Sequence, residues 1–160
     1  MEAILQYLNR ELIVLLTAAL PVIELRGAIP LGATMGLPMF HNLGISLVGS
    51  MVPVPILLFA IRPGFNWLKG KKTFKNFIQR VTDKTLTKSG KIQRYGFWGL
   101  IIFVAIPLPG TGVWSGAIAA ALLGIRLKTA FAAILLGNLV AGTLVTMGAY
   151  GVVHTIRLFK

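Results

Sequence analysis

Two charged residues stand inside an otherwise apolar block of this 160-residue chain: Glu24 and Arg26, in the run Glu24-Leu25-Arg26-Gly27-Ala28-Ile29-Pro30-Leu31-Gly32. A charge at the centre of a membrane helix costs ~2.5–3.5 kcal/mol on insertion scales, so such a residue is a functional candidate by default. A carboxylate beside a guanidinium can hold a proton, a cation or an anionic group. The pair can equally satisfy itself and only fix the local fold. Residues two apart do not face each other on a regular helix, so a direct pair requires non-helical backbone here.

A second group of candidates surrounds the cluster Pro107-Leu108-Pro109-Gly110-Thr111-Gly112. Helix N-termini carry unpaired N–H groups and partial positive charge, which suits anions. Gly110, Thr111 and Gly112, like Gly32-Ala33-Thr34 after Pro30, read as segments leading into such termini, with Thr34 and Thr111 open to an N-cap role as well as ligand contact. Trp114 follows the second cluster and is open to ligand contact or to anchoring at the interface. Asn138, midway along an apolar run, needs a hydrogen-bond partner on a neighbouring helix or in the site. With Pro30 and Pro107 at the two breaks, the candidate site is Glu24, Arg26, Pro30, Thr34, Pro107, Gly110, Thr111, Gly112, Trp114 and Asn138.

The elements that must position these residues follow from composition. The chain is 56% hydrophobic and only 12% charged, about half the charge of a soluble domain. So little polar surface cannot cover a soluble core, and the reading is an all-α integral membrane protein. Leu43–Ile61 and Thr129–Val153 run without a charge and are long enough to span a bilayer. Pro53 and Pro55 predict a kink in the first. Leu12–Ile23 and Gly96–Ile106 are too short to cross before Pro/Gly clusters interrupt them. They read as re-entrant hairpins or broken helices in a protected interior, two kinked full helices being the alternative.

Lys and Arg number 16 against 4 Asp and Glu, a net charge of +12. Ten of the basic residues lie between Arg62 and Arg94, with Asp83 the one acid there. Such a loop belongs on the cytoplasmic side, against anionic lipid, and argues against nucleic acid as the partner. Within it Phe74, Phe77, Ile78 and Val81 keep helical spacing, which predicts an amphipathic helix on the leaflet. This orientation makes the first hairpin enter from outside and the second from inside. The run Ala28-Ile29-Pro30-Leu31-x-x-Thr34 recurs as Ala105-Ile106-Pro107-Leu108-x-x-Thr111. The expected fold is therefore two inverted repeats, about 1–62 and 95–160, each a re-entrant hairpin plus a transmembrane helix, joined by the basic amphipathic linker of about 63–94.

Other chemistry is poorly represented. There is no cysteine, so thiolate sites and disulfides are excluded. His41 and His154 stand far apart, and no metal site is expected. No Ser-His-Asp set, paired carboxylate or phosphate loop is visible, so no enzyme and no cofactor are expected. Glu2 and Glu11 spoil the basic start of a signal peptide.

The Glu24–Pro30 run, Pro107–Gly112, Trp114 and Gly116 together resemble the bacterial and archaeal small multi-drug export protein family, which looks like a distant branch of the DedA (SNARE-associated, VTT) superfamily. That resemblance implies a multi-pass protein of the cell membrane with two facing re-entrant hairpins. Glu24 would match the acid of the first DedA hairpin, and Tyr95-Gly96 with Pro107 the approach and break of the second. DedA proteins place arginines around the second break, whereas Val104–Gly112 has none, so Arg26 would substitute. The expected function is secondary transport of an amphipathic substrate, with an anionic lipid phosphate such as undecaprenyl phosphate first and a cationic drug second. A non-transporting membrane scaffold is the third reading. Coupling to H+ or Na+ and assembly as a homo-oligomer such as a dimer stay open.

Overall fold

The computed structural model describes residues 2–60, 89–108 and 110–158. Among them there are six helices and no strand: α1 (Glu2–Ala19), α2 (Glu24–Thr34), α3 (Met39–Met51), α4 (Ser89–Ala105), α5 (Val113–Leu122) and α6 (Leu127–Leu158). The amphipathic helix expected at 74–81 lies outside the described residues, and α4 begins within the stretch assigned to the linker.

Two helices reach bilayer length. After a turn at Val52, just before Pro53, α3 resumes to Ala60, and Met39–Ala60 forms one apolar stretch of 22 residues. In α6 the apolar stretch is Leu127–Thr155, 29 residues. Only 33% and 44% of their most apolar windows are buried. The core helix of a soluble protein would hide most of that surface; here Leu135, Leu136, Leu139, Leu144 and Met147 face outward.

The two helices run antiparallel. Tyr150 near the end of α6 meets the start of α3, its hydroxyl accepting from Asn42 Nδ2 at 3.1 Å and donating to Leu37 O at 2.7 Å. Midway, Asn138 Nδ2 donates to Ser50 Oγ at 2.7 Å. Glycines allow the closest crossings. A side chain at Gly49 would strike the carbonyl of Leu15 in α1, and one at Gly137 the carbonyl of Ile101 in α4, the small-residue packing that apolar surroundings favour. The larger core lies among α4, α5, α6 and residues 54–58, around Val104, Val113 and Ile134; a smaller one joins α1 to α2 through Val14, Ala18 and Ala28.

The second interruption falls where the sequence predicts, at 106–112, between α4 and α5. The first does not. Glu24–Gly32 is not a break: it is α2, with Pro30 inside the helix. The chain turns at 20–23 instead. Pro21 drives Leu20 out of helical geometry and ends α1, and Glu24 places a carboxylate in the first turn of α2, where helix polarity favours it. The recurrent runs therefore occupy different places. Ala28–Thr34 lies within one helix, whereas Ala105–Thr111 straddles the end of another.

Candidate functional site

The break at 106–112 frees backbone groups at both ends. The helix α4 stops at Ala105, leaving its last carbonyls without intrahelical partners, and α5 starts at Val113 with unpaired N–H groups. Residues of α2 meet both ends. Arg26 Nη2 donates to Val104 O and Ile106 O, each at 3.0 Å, and lies 3.3 Å from Thr111 Oγ1. This is a guanidinium closing a helix C-terminus from another helix. Arg26 Nη1 pairs with Glu24 Oε2 at 3.1 Å. Glu24 Oε1 in turn accepts the N–H of Trp114, in the first turn of α5, at 3.3 Å.

Glu24 adopts φ 50, the one non-glycine residue described with positive φ, so the backbone at the head of this pair departs from regular helix. Both side chains are largely withdrawn from solvent, 18% exposed for Arg26 and 10% for Glu24.

The start of α5 explains why a carboxylate is needed. Its cap residue is Gly112, which has no side-chain oxygen. Ser115 Oγ reaches back to accept Gly112 N–H at 2.8 Å, half of a capping box. The other half, an acceptor for an early N–H of the helix, comes from Glu24 of α2. A Cβ at Gly112 would overlap both the Glu24 carboxylate and Arg26, so the glycine and the distant cap require each other. Thr111 ties the loop: its hydroxyl bonds Ile106 O at 2.6 Å and Leu108 O at 2.9 Å.

Above this ion pair opens a cleft of about 660 Å³, walled by Pro21, Val22 and Ile23 on one side and by Pro107, Leu108 and Ile118 on the other. Glu24, Arg26, Gly110, Thr111 and Trp114 also line it. Two donors at this site, Arg26 Nε and Trp114 Nε1, are buried without a hydrogen-bond partner.

Six of the ten sequence candidates thus line one cleft, and Gly112 packs beneath it. Three lie elsewhere. Pro30 is inside α2. Thr34 ends α2 rather than starting a helix, and its exposed hydroxyl donates to Leu31 O at 2.7 Å. Asn138 bonds Ser50 between α3 and α6, the neighbouring-helix alternative. Sequence reasoning missed the carbonyls of Val104 and Ile106, which no residue type announces, and the Pro21–Ile23 wall, for which Pro21 was the available signal. It also missed Asn42, buried in α3 and bonded to Ile29 O at 2.8 Å as well as to Tyr150. An amide within an apolar run was its signal. No group of His, Cys, Asp and Glu able to hold a metal occurs among the described residues.

Two helices long and apolar enough to cross a bilayer, outward apolar surface and a charged cleft at a helix break, all among the described residues, suggest a membrane protein. Residues 24–144 match the family described as putative small multi-drug export protein, and the chain belongs to that family. The match is to that family and does not reach the wider DedA superfamily. No curated protein and no solved structure matches the chain.

Proposed function

We propose that the chain is a multi-pass exporter of the cell membrane that moves small amphipathic molecules through the cleft at Glu24 and Arg26. The observation that carries this reading is the ion pair itself. It joins the start of α2 to both ends of the α4–α5 break and lines a cleft with mostly apolar walls. A pair that closes two helix ends holds the halves together; releasing it frees both ends of the break at once. A proton or Na+ taken up by Glu24 would weaken its hold on Arg26 and on α5, coupling ion movement to opening.

Inverted repeats fit this reading, in a register other than that of the Ala-Ile-Pro-Leu runs. Gly36 and Gly124 both take positive φ at the ends of the short helices, and the bonds Leu37 N→Gly32 O and Ile125 N→Ala120 O close both turns at 3.0 Å. Ser50 and Asn138, which bond each other, are 88 residues apart, the same interval. Antiparallel α3 and α6 meeting at equivalent residues support a two-fold axis across the helices, hence within the membrane plane.

The partners of Arg26 bear on substrate sign. Its terminal nitrogens already face one carboxylate and two carbonyls, and the positive end of α5 faces Glu24. The cleft offers little uncompensated positive charge, which favours a drug-like amphiphile over an anionic lipid phosphate. The lipid-phosphate reading keeps one observation in its support: Arg26 Nε and Trp114 Nε1 are donors without acceptors, which head-group oxygens would satisfy. Reconstituted liposomes test the proposal. Wild-type protein should move a fluorescent amphiphilic cation under an imposed pH or sodium gradient, and Glu24→Gln should abolish gradient-driven flux while still inserting. Flux in the mutant equal to wild type would exclude the role of Glu24. No flux of either an amphiphilic cation or a polyprenyl phosphate by wild type would favour a scaffold.

A further inference from the structure

A second cavity lies where the helical stretch 53–60 meets the first residues of α6. It encloses about 290 Å³ and is lined by Pro55, Leu58, Phe59, Leu127, Lys128 and Phe131. Five of these six are apolar, and Phe59 is 67% exposed. The sixth, Lys128, is exposed, and no acid lines the cavity among the described residues. Arg126, also exposed, precedes it in the turn before α6.

The position of this groove gives it a depth. It sits at the last residues of the Met39–Ala60 stretch and the first of Leu127–Thr155. Where both helices span a bilayer, that is the boundary between hydrocarbon and head groups. An apolar slot with one cation at its mouth, at that boundary, matches a phospholipid in shape and polarity: an acyl chain below and a phosphate above. The charge also discriminates among occupants. The chain segment that follows Ala60 carries ten Lys and Arg between Arg62 and Arg94 against a single Asp, the same sign as Lys128, whereas an anionic lipid has the opposite sign. We propose that this groove is a binding site for one anionic phospholipid, with Lys128 paired to the phosphate. The site is separate from the Glu24–Arg26 cleft and shares no lining residue with it.

The inference rests on α3 and α6 being membrane spans, and the experiment separates the two. Purified full-length chain in detergent is titrated with dioleoyl phosphatidylglycerol or dioleoyl phosphatidylcholine and read by native mass spectrometry, with oligomeric mass followed in the same spectra. One phosphatidylglycerol should bind in preference to phosphatidylcholine. Lys128→Gln should weaken that binding about fivefold, the equivalent of the ~1 kcal/mol a basic residue contributes near anionic lipid. Lys128→Arg should retain it. A double Lys72→Gln, Lys75→Gln variant, which removes two charges rather than one, should leave the one-to-one adduct intact. Lys128 is exposed, so these variants should fold. Equal binding of both lipids, undiminished binding by Lys128→Gln, or loss in the Lys72, Lys75 variant would each overturn the site. So would a shift of Lys128→Gln from a wild-type dimer to monomer without change in lipid binding, which would assign the groove to a second copy. Wild-type protein that stays soluble without detergent would instead overturn the membrane reading.

Discussion

The two interrupted regions of this molecule are unlike, and their difference explains where its charges are. The first interruption is short, residues 20–23, and nearly heals itself: Leu20 N bonds Thr17 O and Glu24 N bonds Leu20 O. The second runs from 106 to 112 through Pro107 and a left-handed Gly110, and leaves a helix end open on either side. In apolar surroundings each freed backbone group needs a partner. The first region supplies them, with Arg26 meeting the C-terminus of α4 and Glu24 the N-terminus of α5. The two breaks carry complementary groups. Val104–Gly112 holds no arginine of its own, and a guanidinium reaches it from α2.

The largest test of this complementarity removes one charge. Arg26→Ala removes the guanidinium from the Glu24 carboxylate and from the carbonyls of Val104 and Ile106. Breaking one side of a buried pair costs about 3–5 kcal/mol. The expected outcome is a large fall in thermal unfolding temperature in detergent. A Glu24→Gln, Arg26→Met double variant should recover part of that loss, because no unpaired charge remains. Recovery of nothing would mean that Arg26 acts mainly on the α4 carbonyls, and the two helix ends would then be closed independently.

A smaller effect is expected from the other side of the interface. Gly112→Ala puts a methyl where the Glu24 carboxylate and Arg26 lie. Overpacking of this kind costs about 1–3 kcal/mol, and the strained backbone of Glu24 leaves little room to yield. Gly99, where an added Cβ meets nothing, is the control: Gly99→Ala should match or exceed wild-type stability, since alanine is the better helix former. If both variants unfold alike in the same thermal assay, the carboxylate does not sit against the α5 cap.

Much of the fold is legible in the sequence for one physical reason. Bilayer-length apolar runs and a dense Pro/Gly cluster are local signals, so α6, the Met39–Ala60 stretch and the 106–112 break fall near their expected places. What fails is equally local in origin. The Glu24–Gly32 run holds a charge pair, two glycines and a proline, and reads as a break; the helix forms through it because its polar groups are satisfied by residues about eighty positions away. The Asn42–Tyr150 bond crosses more than a hundred residues. No periodicity in a short window encodes such a pairing. The Glu24–Arg26 contact lies between these cases, since both residues stand out by charge while their partners are backbone atoms.

The smallest predicted effect is also the one that most directly separates the sequence correspondence from the structural one. Thr34 and Thr111 close the two Ala-Ile-Pro-Leu-x-x-Thr runs and look equivalent in the sequence. In the structure Thr34 is exposed at the end of α2, with a single bond to Leu31 O. Thr111 contacts Arg26, its one hydroxyl proton faces the carbonyls of Ile106 and Leu108, and its oxygen lies 3.3 Å from Leu108 N. Valine keeps the shape of either residue and deletes the hydroxyl. Thr111→Val should cost about 0.5–1.5 kcal/mol, since it removes the hydroxyl that ties Ile106 and Leu108 within the break, and should slow gradient-driven flux by loosening the loop that Arg26 holds. Thr34→Val should stay within about 0.5 kcal/mol of wild type, as exposed substitutions do, with flux unchanged. Thermal unfolding and liposome flux on the two variants, side by side, read both quantities. Equal losses would restore the two runs as functional counterparts and place the second half of the site at the end of α2. Loss confined to Thr111→Val keeps the site where the charges of the first half meet the open helix ends of the second.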